Sequence, residues 1–415
     1  MGALGPVFSW STTPPPYGLP GVPVPDAQVG ALLAEAEGTV GSGLGTTWDG
    51  STLSFVSRPG AREHDETQSP KDLQRALTAA RDKGVAGLEV RVTQDAASAV
   101  ALLFEDPSLA PRLATRPLDV AGGESLDVDL VLAGRGVVRA GRVADLQAFA
   151  DRVGIGVLNT YTAKGVFKWD SPYHFGTGCL QERDLALAGV REGARVLTVG
   201  VDEDECAPAL LQAAGVDASS LVGIEVTELP VAQVRRSAAG TELTPPPLYY
   251  AIFDIAQPLY KLIESPLNPA RAAADIAEVL PDGSAVCVEP GLPGLWVGRT
   301  LPTRYLGSAR VPAAGRPGTA VAGALLGALD GARRVAIVAD ALGAEDERLL
   351  EWARSAGLNV TVIVWTLDAP ARDAQEHRAA LATALATPGV TVLPVAVDLT
   401  ATQLLIDAAG PLVAW

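Results

Sequence analysis

The sequence is poor in the residues that build metal centres and disulfide frameworks. It contains three cysteines and three histidines, namely Cys179, Cys206, Cys287, His64, His174 and His377. The cysteines are odd in number and far apart, so they predict neither a disulfide framework nor a cysteine metal site. The histidines are too scattered to suggest a cluster of metal ligands. We therefore expect reduced thiols in a reducing compartment.

Long apolar runs and an excess of basic residues are also missing. No stretch approaches the roughly 20 apolar residues that a helix needs to span a bilayer. The 32 Lys and Arg residues are outnumbered by 48 Asp and Glu, which gives a net charge of −16. The phosphate backbone of a nucleic acid would repel such a chain. The N-terminal residues lack the basic start and continuous apolar run of a signal peptide. We expect a cytoplasmic protein that binds neither membranes nor nucleic acid.

Strands and helices alternate between Val128 and Glu205. A buried apolar strand ends in a glycine turn, an amphipathic helix follows, and two further strands come with helical segments between them. Units of this size predict an α/β fold with a doubly wound parallel sheet. At 415 residues and 48% hydrophobic content, the chain can form two or three domains with substantial cores.

One loop in this region carries a specific motif. It has the pattern T-x-x-K-G followed by P-x-H-x-G, formed by Thr162, Lys164, Gly165, Pro172, His174 and Gly176. In its residue pattern and in the order of its motifs, the region resembles the Rossmann-type central domain of thiamine-diphosphate enzymes of the acetolactate synthase and benzoylformate decarboxylase type. The resemblance implies that Lys164 and His174 are mainly structural or line an interface.

The resemblance divides the chain into five parts. Residues 1–25 are proline-rich, and we expect them to lie extended over a surface or a partner. Residues 26–115 resemble a remnant of the pyrimidine-binding domain, because a helix from Lys71 to Asp82 and the strand Gly87 to Val92 look like its last two elements. Only 68 residues precede Ser69, so we expect that domain to be missing or cut down. The central domain covers 120–228, a connector covers 229–267, and a degenerate diphosphate-binding domain covers 268–415, with a second doubly wound parallel sheet.

The metal signature of the family is altered here. In the family, a Gly-Asp-Gly turn and an asparagine pair about 26 residues further on hold Mg²⁺ against the diphosphate. This chain has Ala339-Asp340-Ala341 and Thr366-Leu367 instead. The alanines restrict the turn and crowd the place of the phosphate. We expect no bound cofactor and no catalytic residue, with Asp340, Thr366 and Gly318 as vestigial cofactor-binding positions. Asp340 is a Mg²⁺ ligand only if thiamine diphosphate is retained.

Two other motifs are weak. The run from Arg62 to Glu66 is the nearest match to the segment that holds the family's catalytic glutamate. No alanine-rich helix follows it, so we interpret it as a solvated charged loop. Gly134, Gly136 and Gly141 do not have the spacing of a dinucleotide fingerprint and predict a tight strand-to-helix turn.

Assembly is expected from two features. The connector holds Pro245-Pro246-Pro247 and an aromatic cluster (Tyr249, Tyr250, Phe253 and Tyr260). These aromatics either pack between domains or form an assembly contact. The small-residue helix from Gly323 to Ala328 resembles one that lies near an interface in relatives. We expect a homodimer or a hetero-complex, with Tyr249, Tyr250 and Phe253 near the contact, and a monomer as the alternative.

Three functions fit these observations. The first is a non-catalytic homologue that acts as a binding or assembly protein. The second is a thiamine-diphosphate and Mg²⁺-dependent carboligase or decarboxylase whose pyrimidine-binding domain is supplied by another chain. The third is a small-molecule or nucleotide-binding protein that uses the carboxyl edge of a sheet.

Overall fold

The computed structural model describes residues 2–3, 5–67, 69–92, 103–104, 108–118, 125–224, 229, 233–238, 240–331 and 334–415. Three main sheets follow one another along the chain. Within the described residues, no helix is long and apolar enough to cross a membrane.

The first sheet is mixed. Its strand order is β3-β2-β4-β5-β7-β6, and the pairs β4–β5 and β5–β7 are antiparallel. A separate short pair joins β1 and β8. The elements are β1 (Gly2–Ala3), β2 (Val7–Ser9), β3 (Gly21–Pro23), α1 (Ala27–Val40), β4 (Gly45–Trp48), β5 (Thr52–Val56), β6 (Arg62–Thr67), α2 (Pro70–Asp82), β7 (Gly87–Val92) and β8 (Leu103–Phe104).

Two expectations for this region are wrong. The proline-rich N-terminal segment does not simply lie over a surface, because it supplies β2 and the edge strand β3. Pro23 is tolerated there because an edge strand can lack one amide donor. The charged run from Arg62 to Glu66 is not a loop but most of the opposite edge strand, β6. Charged residues are common on edge strands, where they discourage further pairing.

The central sheet is entirely parallel, with the order β13-β12-β11-β14-β15-β9. In β11, Leu130 and Leu132 pack with α5 and α6, while Val131 and Ala133 pack with α4 on the other face. The sheet is therefore covered on both faces. The elements are β9 (Arg116–Pro117), β10 (Leu126–Val128), β11 (Leu130–Ala133), α3 (Gly136–Arg139), α4 (Val143–Val153), β12 (Val157–Thr160), β13 (His174–Gly178), α5 (Asp184–Leu187), β14 (Val196–Val199), α6 (Pro208–Ala213), β15 (Val222–Ile224) and β16 (Val234–Arg236).

The third sheet is also parallel, with the order β18-β17-β19-β20-β21. The helices α8 and α12 pack on one face, and α10 and α11 pack on the other. The two predicted doubly wound parallel sheets are thus confirmed. The elements, starting with the connector helix, are α7 (Pro247–Leu259), α8 (Pro269–Val279), β17 (Val286–Val288), α9 (Leu292–Thr300), β18 (Ala309–Arg310), α10 (Thr319–Leu329), β19 (Arg334–Ala339), α11 (Ala344–Ser355), β20 (Val360–Trp365), α12 (Ala374–Ala386), β21 (Val390–Val395) and α13 (Thr402–Ala409).

The small-residue helix α10 is covered by the chain's own N-terminal helix. A Cβ added at Gly323 would lie 3.1 Å from Cγ2 of Val40 in α1 and 3.4 Å from Sγ of Cys287 in β17. Arg316 before α10 also pairs with Glu35 of α1 at 2.6 Å. The face of α10 around Gly323 is therefore buried within this chain.

The three thiols occupy different packed regions. Cys179 and Cys206 lie in the core shared by the central and third sheets, whereas Cys287 lies beneath α10. All three are free and buried. Cys179 adopts a left-handed backbone conformation with a φ of 66°.

Candidate functional site

The carboxyl edge of the third sheet brings together two of the predicted positions. Asp340 follows β19 and Thr366 follows β20, and these strands are parallel neighbours. Asp340 is exposed and adopts a φ of 59°, which aspartate tolerates better than most residues. Gly318 caps α10 with a φ of 93°. A Cβ there would approach that of Glu345 to 3.0 Å, so glycine is required by both conformation and space.

A carboxylate that the sequence analysis missed lies at the same edge. Glu289 directly follows β17, and its Oε1 accepts a hydrogen bond from the amide of Ala320 at 3.0 Å. The Gly318 backbone also hydrogen-bonds to this carboxylate. Burial, together with the nearby Asp346 carboxylate, raises the pKa of Glu289 to about 7 although these hydrogen bonds oppose the shift. An acidic residue directly after a buried strand was the signal available in the sequence.

These residues do not fit a diphosphate and its Mg²⁺ ion. A helix N-terminus binds phosphate through free amides, and here Glu289 already accepts from the amide of Ala320 and from the Gly318 backbone. Glu345 and Asp346 add further negative charge beside Gly318 and Glu289. Leu367 is exposed but has no oxygen ligand to offer. Across the described part of the chain, no group of three or more His, Cys, Asp or Glu residues could hold a metal ion.

The glycine turn after β11 packs against the chain itself. A Cβ at Gly136 would lie 2.7 Å from the carbonyl oxygen of Gly200. Between the glycines, Arg135 donates to Asp202 at 2.9 Å and to Asp204 at 2.9 Å. Burial would raise the pKa of Asp202, but nearby arginines, chiefly Arg139 and Arg135, hold it well below its ordinary value. The glycines therefore permit close packing beside a buried ion network.

A cavity of about 340 Å³ lies elsewhere, between the central domain, the connector helix and the end of α9. The loop from Lys164 to Trp169 and the start of β13 form one wall. The opposite wall comes from α7 and is mainly apolar, through Leu248, Tyr249, Ile252, Phe253 and Ala256, with Gln257 as a polar residue. Its volume and its few polar groups are typical of small-molecule sites.

Lys164 of the family-like motif lines this cavity. Its side chain is buried, with 6% of the residue exposed. Its ammonium group has no hydrogen-bond or ion-pair partner among the residues that the structure describes. Burial and the charge of Arg299 lower the pKa of Lys164 to about 7. Lysines with such pKa values are frequent at functional sites.

The other basic side chains of the wall are already engaged. Arg299 donates to the carbonyl of Thr177 at 2.5 Å, to Gln181 at 3.0 Å and to Asp184, with which it forms a buried ion pair. Burial and the neighbouring Lys164 lower the pKa of His174 to about 3, so its ring is neutral. Its Nε2 lies 3.1 Å from Oδ1 of Asn159 and donates to it, since that oxygen can only accept.

Comparisons with known proteins agree with this architecture. Residues 129–228 match the family model for the central domain of thiamine pyrophosphate enzymes. The acetolactate synthase large subunit of Corynebacterium glutamicum is 27% identical over 237 residues, which cover 50% of this chain and 37% of that protein. The matched part thus spans little more than a third of this relative's length.

Two solved structures share the fold. One is a Rhodococcus jostii thiamine diphosphate-dependent 4-hydroxybenzoylformate decarboxylase, with a TM-score of 0.59 and 14% identity, covering 95% of this chain and 97% of that one. The other, from Mycobacterium smegmatis, is assigned to the thiamin diphosphate-dependent enzymes and has a TM-score of 0.53 and 15% identity, covering 94% and 96%.

The fold is one that thiamine diphosphate-dependent enzymes share, and residues 129–228 match the central domain of that family. Over 237 residues the chain is similar in sequence to acetolactate synthase, so the resemblance that the motif around Lys164 predicted is confirmed.

Proposed function

We propose that the chain is a non-catalytic homologue of thiamine-diphosphate enzymes that acts as a binding or assembly protein. The observation that carries this proposal is the position of Glu289. Its carboxylate accepts a hydrogen bond at the N-terminus of α10, where a phosphate group would need the same amides. The helix end is therefore satisfied by the chain itself.

Charge supports the same conclusion. With a pKa of about 7, Glu289 is largely ionised in mildly alkaline solution. A diphosphate would then have to displace one carboxylate and approach others. It would also lack a second side-chain ligand for Mg²⁺, because Leu367 has no oxygen to offer. Repulsion between like charges in a partly buried site opposes binding.

The test is calorimetry of the full chain with thiamine diphosphate and Mg²⁺, together with mass spectrometry of the native protein. We expect no binding heat in mildly alkaline buffer and no bound cofactor. Glu289→Gln keeps the shape of the side chain and removes its charge, and Glu351→Gln on the exposed face of α11 is the matched control. A cofactor found at about one per chain in the wild-type protein would overturn the proposal.

A second candidate is supported by the placement of Asp340 and Thr366 at neighbouring strand ends. In this candidate the chain is a carboligase or decarboxylase that receives its pyrimidine-binding domain from another chain. Calorimetry repeated with any co-purifying protein separates the two functions. Cofactor binding that appears only in the complex, and that Asp340→Asn abolishes, favours the enzyme.

Assembly through α7 is the binding role that the surface supports. Tyr250 and Phe253 are each 46% exposed, and Trp169 on the adjacent loop is 55% exposed. Tyr249 stacks on Phe253 at 6.2 Å and meets Tyr250 edge to face at 5.6 Å. Large exposed aromatics grouped in this way are typical of protein interfaces. We infer that a homodimer or a hetero-complex forms here.

A further inference from the structure

We propose that the cavity beside Lys164 binds a small apolar monocarboxylic acid, whose carboxylate pairs with the Lys164 ammonium group. This site goes beyond the proposed function and does not depend on it. Helix α9 starts after the carboxyl end of β17 and runs back along the sheet. Its last residues therefore lie at the amino ends of the strands, whereas Asp340 lies at the carboxyl edge. A ligand here would not use the diphosphate region.

The walls determine the body of the ligand. Most of one side of the cavity consists of aliphatic and aromatic side chains of α7, including Leu248, Ile252 and Phe253, and Gln257 is the polar residue on this side. Leu301 and Pro302 extend this apolar surface from the segment after α9. Transfer of an apolar group from water into such an enclosure is favourable. The body of the ligand is therefore hydrocarbon or aromatic.

The charges determine its head group. Asp184 neutralises Arg299, and His174 is uncharged, so Lys164 supplies the one uncompensated cation in the deep wall that the structure describes. Tyr260 donates its hydroxyl to the carbonyl of Thr300 and stays neutral, while Arg304 is exposed at the rim. A single ammonium group matches a single carboxylate better than a doubly charged phosphate.

Binding of the acid should be coupled to the uptake of a proton by Lys164. Without ligand, Lys164 is only partly protonated near neutral pH, because burial and Arg299 favour the neutral amine. A carboxylate beside it favours the ammonium form. Binding of the acid in mildly alkaline buffer therefore takes up a proton from solution, and an uncharged amide of the same shape does not.

The experiment is titration calorimetry of the full chain with octanoate and phenylacetate, and with octanamide and phenylacetamide as uncharged counterparts. We expect saturable binding of at least one acid, about tenfold or more tighter than its amide. Two buffers of different ionisation enthalpy should reveal proton uptake on binding of the acid. If neither acid binds, or if acid and amide bind equally, the proposal is wrong.

Variants assign the effect to Lys164. Lys164→Met should weaken binding of the acid by about tenfold, remove the proton uptake and leave the amide unaffected. Lys168→Met removes an exposed lysine four residues along the same loop, and we expect it to behave as wild type. Circular dichroism checks that both variants are folded. Unchanged proton uptake in folded Lys164→Met would contradict the assignment. The thiamine diphosphate titration probes the other edge of the sheet, so either proposal can fail alone.

Discussion

Two buried cations next to the same cavity have opposite environments. Arg299 is surrounded by acceptors and forms a buried ion pair with Asp184. The ammonium group of Lys164 faces a mainly apolar space and has no acceptor among the described residues. Arginine suits the first position because its planar group donates to several acceptors at once. Lysine suits the second because it can lose its proton when buried.

The buried lysine predicts a dependence of stability on pH. The pKa of Lys164 is lower in the folded chain, at about 7, than its ordinary value of 10.5. Between these values the unfolded chain binds more protons, so the destabilisation caused by Lys164 diminishes as pH rises. Lys164→Met should therefore stabilise the protein most below pH 7, by on the order of 5 kcal/mol, and progressively less toward pH 10.5. Urea denaturation across this range measures the difference. With Lys168→Met as the control, a pH-independent gain would contradict the prediction.

At the scale of elements, α10 is held by α1 across the boundary between the first and third sheets. Gly323 permits the close approach, because its missing side chain leaves room for Val40. A leucine at this position would force the two helices apart, and overpacking of this kind costs roughly 1–3 kcal/mol. We expect Gly323→Leu to make the N-terminal domain more sensitive to limited proteolysis. Glu351→Leu adds a leucine to an exposed position on α11 and should leave the digestion pattern unchanged.

The parallel sheets were predictable because their strands carry local signals. The small-residue helix recognised from Gly323 to Ala328 lies inside α10, which runs from Thr319 to Leu329, since a run of small residues bounded by turns defines it. Helix α9 was missed because it is buried on almost all sides and contains Pro293, Gly294 and Gly298, so no amphipathic period is visible. A Cβ at Gly298 would lie 2.9 Å from Leu180, which is a contact across domains that local sequence does not encode.

The candidate site residues also divide into those that local sequence signals could predict and those that depend on tertiary packing. Asp340 and Thr366 could be placed at one edge because each follows a recognisable strand. The cavity could not be predicted, since Lys164 meets Ile252 and Arg299 only after two sheets and a connector have packed. Glu289 was missed because its role depends on the N-terminus of α10, some 30 residues further along the chain.

For the whole molecule, the exposed aromatics of α7 predict assembly. We expect light scattering to report a mass above that of one 42.7 kDa chain, because burying Tyr250 and its neighbours removes apolar surface from water. Tyr250→Ser should shift the equilibrium toward the single chain. Leu404→Ser, which changes an exposed apolar residue on α13, should not. A monomer at micromolar concentration without a co-purifying chain would contradict assembly.

The three buried thiols can report local opening of the protein. A thiol reagent can react with Cys287 only when α10 lifts from the third sheet, and with Cys179 or Cys206 only when the central core loosens. The rates of modification, resolved by peptide mapping, thus give separate opening free energies for the two regions without any introduced label. If Gly323→Leu accelerates labelling of Cys287 alone, the region of α1 and α10 and the central core open as independent cooperative units.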